Sequence, residues 1–120
     1  HEALGQVVEI AGSGALVEIA NRRLVELSED PDPSVAMSGQ VGSQVKMKVG
    51  NSWLIANVRT LRTGDGSDIM GQIDFLGEGN CDSNGRLSNF RRGVTRYPIP
   101  GSTVYPVSTE DMRAIFAADD

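Results

Sequence analysis

Residues 44–58 read Gln44-Val45-Lys46-Met47-Lys48-Val49-Gly50-Asn51-Ser52-Trp53-Leu54-Ile55-Ala56-Asn57-Val58. Val45, Met47 and Val49 alternate with Gln44, Lys46 and Lys48, the pattern of a strand with one buried face. This strand is read over residues 41–49, and Gly50-Asn51 supplies the turn after it. The next strand, residues 52–62, places Leu54, Ala56 and Val58 on one face and Trp53, Ile55 and Leu61 on the other. Apolar residues on both faces imply a strand covered on both sides for part of its length. Trp53 is expected in the core or at its rim. Base stacking has no support, because no second aromatic sits at strand spacing beside it.

Outward from this hairpin, short strands and turns continue in both directions. Toward the N-terminus, residues 4–11 and 15–20 are two apolar runs joined by Gly12-Ser13-Gly14, which reads as a hairpin. That link lacks the glycine spacing, Lys-Ser/Thr ending and following helix of a phosphate loop. Leu24 to Leu27 is expected to form a short strand, and Ser28 to Ser34, with Pro31 and Pro33, an exposed loop. The acids Glu29, Asp30 and Asp32 do not follow the calcium-loop pattern of alternating oxygen ligands.

Toward the C-terminus, Thr63-Gly64-Asp65-Gly66-Ser67 predicts a turn. Ile69, Gly71, Ile73 and Phe75 alternate with Met70, Gln72 and Asp74, with Gly71 expected at a bulge or tight bend. Leu76 to Gly79 is read as leading into a polar loop that holds Cys81 and runs to about Gly85. Residues 102–107 form a last strand. Ser108 then opens a helix as N-cap, with Asp111 three residues on and Met112, Ile115 and Phe116 as an apolar stripe.

The fold class is therefore all-β. About six antiparallel strands close into a small barrel followed by a short C-terminal helix, and a two-sheet sandwich is the alternative. The barrel is assigned to residues 1–107 and the start of the helix or linker to 108–120. A chain of 120 residues, with fourteen glycines and five prolines, is one turn-rich domain able to bury a core unaided.

Chemistry is scarce. Cys81 is the only cysteine and His1 the only histidine, so neither a zinc site nor a Cys-His nucleophile is expected. A lone thiol forms no internal disulfide and suits a reducing, cytoplasmic setting. No apolar run approaches the roughly 20 residues of a membrane span, so no membrane partner is expected. The net charge of −5 argues against strong non-specific binding of nucleic acid. Charge is nonetheless segregated: residues 1–40 carry −5, 41–62 carry +4, 63–85 carry −5, 86–96 carry +4 and 97–120 carry −3. Acidic and basic faces could meet between copies, or the blocks could be solvated loops of either sign.

The most concentrated stretch is Asn89-Phe-Arg-Arg-Gly-Val-Thr-Arg-Tyr-Pro-Ile-Pro-Gly101. In one reading Pro98 and Pro100 fix an extended crossing, Gly93 and Gly101 permit turns, and Tyr97 covers the barrel. In a second, Arg91, Arg92 and Arg96 meet acidic loops of a neighbouring subunit or partner domain. In a third, the same arginines touch DNA phosphates.

With these pieces placed, the chain resembles the N-terminal barrel of HerA-type ATPases, the HAS barrel, which is like the N-terminal barrel of rotary ATP synthase subunits. The resemblance rests on Val41-Gly42-Ser43-Gln44-Val45-Lys46-Met47 and Ile73-Asp74-Phe75-Leu76-Gly77-Glu78. It rests most of all on the run from Phe90-Arg91-Arg92-Gly93-Val94-Thr95-Arg96-Tyr97-Pro98-Ile99-Pro100-Gly101, which continues through Val104-Tyr105 and Glu110-Asp111 to Ile115-Phe116. The resemblance implies a non-catalytic domain of a ring-shaped DNA translocase, serving subunit assembly and docking of a partner such as a NurA-type nuclease. It implies that DNA is met by the whole assembly, and that ATP and Mg belong to a motor domain beyond Asp120. The chain departs from the full family pattern by carrying no phosphate-binding loop, and it holds no expected catalytic, cofactor or metal residue of its own. The alternative is a free-standing small barrel that binds a ligand or nucleic acid.

Overall fold

The computed structural model describes residues 3–64, 66 and 68–117. Its strands are β1 (Gly5–Ala11), β2 (Gly14–Ala20), β3 (Gln44–Val49), β4 (Ser52–Thr63), β5 (Asp68–Cys81), β6 (Leu87–Arg92) and β7 (Thr103–Pro106). Helices α1 (Asn21–Leu27) and α2 (Pro33–Met37) lie between β2 and β3, and α3 (Thr109–Ala117) follows β7. Six strands close antiparallel in the order β1-β2-β5-β4-β3-β7 and back to β1. The all-β class, the six-stranded barrel and the C-terminal helix are all as the sequence predicts. The closing β1–β7 seam is short, with Gly5 opposite Val104 and Gln6 opposite Thr103. It is extended by Leu4 N–H to Val104 O at 2.7 Å and Val7 N–H to Ser102 O at 2.8 Å.

β6 is the strand that the sequence reading missed, and it lies outside the closed ring. β5 is long enough to serve two neighbours, pairing with β2 over Asp68–Asp74 and with β6 over Gly77–Cys81. The stretch after Phe75 therefore continues as strand instead of leading into a loop. Leu76 marks the change of neighbour: Phe75 faces Ala56 and Gly77 faces Ile55, which leaves Leu76 as an unpaired bulge. The polar loop reduces to a tight hairpin in which Asp82 Oδ1 accepts from Asn84 N–H and Arg86 N–H, each at 2.9 Å.

A second bulge corrects the face assigned to Leu61. Val58 faces Ile73 and Thr60 faces Gln72, so Arg59 is the extra residue and every later side chain of β4 changes face. Leu61 packs against the barrel core with Val58. Gly71 is not at a bulge: it faces Val17 and Leu61, where a Cβ would lie 3.3 and 3.1 Å from their methyl carbons. It gives room inside the barrel.

Leu24 to Leu27 is helix, not strand. Both edges of β2 are already paired, so the chain leaving Ala20 finds no free edge. It coils instead, with Arg22 and Arg23 paired to Glu26 one turn on, and buries Leu27 beneath the barrel. The 28–34 loop ends early because Pro33 starts α2. Proline holds Asp32 extended (φ −79°, ψ 115°), and Asp32 caps the helix by accepting Ser34 N–H at 2.9 Å. β3 begins at Gln44; Val41 to Ser43 form a turn in which Val41 is exposed. The turn expected at residues 63–67 includes Asp65 and Ser67, which lie outside the described residues, as do Asp119 and Asp120.

The core has two parts. Inside the barrel, Val7, Val17, Ile19, Val45, Met47, Leu54 and Ile73 meet Leu27 and Val35 from the helices. Outside it, Trp53, Ile55, Leu87 and Phe90 receive Val107 and Ile115. The two apolar faces of β4 thus serve two cores. Phe116 is not part of the buried stripe of α3, being 61% exposed.

Candidate interaction site at the barrel mouth

β2 descends from Gly14, opposite Asp74, to Ala20, opposite Asp68, and α1 and α2 follow at that lower end. The opposite end is the mouth, and the segment leaving β6 crosses it. Gly93 N–H donates to Leu76 O at 3.2 Å, and at the far side Gly101 N–H donates to Val7 O at 2.7 Å. Between them Val94 packs against the barrel core and the Tyr97 ring tilts onto Phe75 with centroids 5.6 Å apart. Gly93 and Gly101, at φ 94° and 93°, make the bends that admit this path.

A buried carboxylate pins the crossing. Glu78 sits opposite Leu54 on the barrel-facing side of β5 and is only 3% exposed. It accepts the Thr95 backbone N–H, and the Thr95 hydroxyl lies 3.0 and 3.1 Å from its two oxygens. Arg91 Nη2 stands 3.4 Å from Oε2. The Thr95 backbone bond holds the Glu78 pKa below the ordinary value against the opposing effect of burial, helped by the Thr95 hydroxyl and the charges of Arg91 and Arg96.

The three arginines do not form one cluster. Arg91 faces Glu78 across the ladder, and Arg92, opposite Gly77, lies on the other face of β6. Arg96 lies over the β3–β4 turn, its Nη2 2.2 Å from where a Cβ on Gly50 would stand. Two of the three therefore converge on the mouth. Sequence reasoning did not single out Glu78 or Thr95 as a pair. They lie 17 residues apart, and what brings them together is the pairing of β5 with β6, whose register shifts between Glu78 and Asn80.

At the lower end, polar groups tie the helices to the barrel. Asp32 accepts Thr109 N–H at 3.0 Å and the Thr109 hydroxyl at 2.6 Å, so one side chain caps α2 and anchors α3. Burial acts to raise the Asp32 pKa, but the bonds from Thr109 and from the α2 N-terminus outweigh it and hold it below the ordinary value. Ser108 and Asp111 form the expected reciprocal capping pair, at 3.1 and 3.2 Å. Asp111 is 2% exposed and also meets Lys46 Nζ at 2.8 Å and Leu87 N–H at 3.4 Å.

These two carboxylates set an acid limit. Both Glu78 and Asp32 have depressed pKa values in the folded state, so their contribution is present above the unfolded value of about 4. It disappears as the pH falls through the folded values. Urea midpoints measured from pH 7 downward are expected to fall steeply below about pH 4. Glu78→Gln and Asp32→Asn should each flatten part of that slope.

Trp53 is only 7% exposed, its indole N–H donates to Gly85 O at 3.0 Å, and its ring meets Lys46 Nζ at 4.4 Å and Tyr105 edge-on at 5.8 Å. That packing leaves no face for a base. Among the described residues, no three His, Cys, Asp or Glu side chains gather where they could hold a metal, and no helix is long and apolar enough to cross a membrane. Cys81 ends β5, half-buried against the outer core. The fold and site define a small closed antiparallel barrel with an arginine-bearing crossing pinned over one end. Compared with protein-family models and with curated proteins, the chain matches none.

Proposed function

We propose that this barrel is a non-catalytic assembly and docking module, the N-terminal barrel of a HerA-like ring ATPase that moves DNA. One observation carries the reading: the arginine-bearing crossing is tied over one end of the barrel, whereas the segment 28–34, which holds three acids and no basic residue, leads into α2 at the other. Arg91 pairs with a buried carboxylate there and Arg96 lies over the Gly50 turn, and both remain exposed. Arginines held in place in this way lose little entropy on meeting a carboxylate, which suits recognition of an acidic surface. In this reading copies of the barrel associate in a ring within the cytoplasm and a nuclease of the NurA type docks on it. ATP and Mg act in a separate motor domain, and DNA is contacted by the whole assembly. The net charge of −5 favours a protein partner over DNA for the arginines themselves.

The test is replacement of Arg91, Arg92 and Arg96 together by glutamine in the protein that carries this barrel. The native mass is expected to shift toward smaller species as the ring loosens, more strongly at low salt. An unaltered native mass would refute the reading. Loss of binding to duplex DNA by the isolated barrel would instead favour a free-standing nucleic-acid module.

A further inference from the structure

The most exposed large apolar side chain among the described residues is Ile99, 71% accessible at the tip of the crossing. Its backbone is tied into a turn. Ile99 N–H donates to Ser102 Oγ at 3.1 Å, Ser102 N–H donates back to Ile99 O at 3.0 Å, and prolines flank it on both sides. Arg96 precedes this knob on the same crossing.

At the opposite end lies a groove of about 360 Å³ between α2, the turn before β3 and α3, lined by Pro33, Met37, Val41, Val107 and Met112. Met37 and Val41 are 53% and 59% exposed. Methionines adapt to a branched aliphatic guest, and a preformed turn loses little entropy on docking. The loop running into Pro33 carries three acids and no basic residue; Asp32 is engaged with Ser34 and Thr109 and Asp30 accepts the Asp32 N–H, so the loop's negative charge as a whole, with the exposed Glu29, is what faces a partner. A basic-flanked apolar knob and an acid-flanked apolar groove thus occur at opposite ends of the same chain.

We infer that Ile99 of one copy seats in the Met37–Val41–Met112 groove of a second copy, with Arg96 directed at the acidic loop beside it. The inference rests on the self-association proposed above and names its surfaces. Such a contact is heterologous, joining different patches of two copies, and it propagates from each copy to the next, closing a ring where the rotation between copies allows and building an open filament where it does not.

Paired cysteine capture tests it on this chain directly. In a Cys81→Ser background, one protein carries Pro100→Cys, which keeps the Ile99 knob, and the other Val41→Cys, both at exposed positions where the fold should tolerate them. Equal amounts are mixed and oxidised mildly. The mixed 100–41 disulfide is expected to exceed the two like-with-like disulfides together by about fivefold or more, because docking raises the effective concentration of that pair alone. Adding Ile99→Asp or Arg96→Glu to the Pro100→Cys chain, or raising the salt, should lower this excess. A mixed disulfide no more abundant than random capture produces, or a dominant 100–100 pair, overturns the inference. That failure is distinct from failure of the ring reading, which is judged by the native mass of the arginine variant.

Discussion

Replacing Gly77 by alanine is expected to cost about 3 kcal/mol, near the upper end of overpacking effects. A Cβ at this position would lie 2.3 Å from Arg91 O and 2.6 Å from Phe90 Cζ. The ring could swing aside, but the carbonyl belongs to the strand paired with β5 and cannot move without breaking that pairing. The substitution should therefore push β6 away from β5 and pull Phe90 out of the outer core. Arg91 and the crossing would follow, because β6 is where the crossing begins. The barrel strands do not depend on β6 for closure, so the far-ultraviolet sheet signal should persist while Trp53 fluorescence, reporting the outer core, changes. A urea midpoint within error of the parent would show that β6 accommodates the methyl group and that its close approach is not required.

The second large effect is expected at Asp111. Its carboxylate meets Lys46, the Leu87 N–H and the Ser108 N–H, and it is almost fully buried. Asp111→Ala leaves Lys46, whose side chain is only 14% exposed, without its counter-charge, and leaves two backbone donors unpaired. Removing one partner of such a pair costs roughly 3 kcal/mol. Asp111→Asn keeps an acceptor for the backbone donors and should cost less. Hydrogen exchange at the Leu87 and Met112 amides is the direct readout, since both depend on the docking of α3. Glu110→Gln offers the contrast. Its partner Arg86 is 60% exposed and Glu110 is 51% exposed, so breaking that pair should change stability by no more than about 0.5 kcal/mol. Equal effects at Asp111 and Glu110 would contradict the assignment of the buried carboxylate as the anchor.

The periodicity of Val45, Met47 and Val49 and the two-faced apolar pattern of Ser52 to Val58 were enough to establish strands, a hairpin and coverage on both sides of β4. Alternation and turn chemistry are local properties, set by side-chain direction within a few residues, and they survive folding wherever the ladder is regular. The Ser108 cap and the start of α3 were legible for the same reason. Where local order is interrupted, the sequence alone misleads. Arg59 reads as an ordinary strand residue and Leu76 as the start of a loop, yet each is a bulge within a strand, and each reverses the faces that follow it. Leu24 and Leu27 satisfy a strand pattern as well as a helical one, and the absence of a free edge beside β2 decides between them.

The Asn89–Gly101 stretch divides in the same way. Its glycines and prolines predict a bent, extended crossing, because their backbone restrictions act within the residue itself. That Arg91 and Arg96 converge on the mouth and Arg92 turns away depends on strand pairing and on the register of β6. That Glu78 is the group pinning them depends on the β5–β6 pairing, which sets Glu78 opposite Arg91 and brings its carboxylate to a backbone amide 17 residues later. Strand and turn identity are local and were written in the residues. The site is a product of long-range register, and only the tertiary structure could place it.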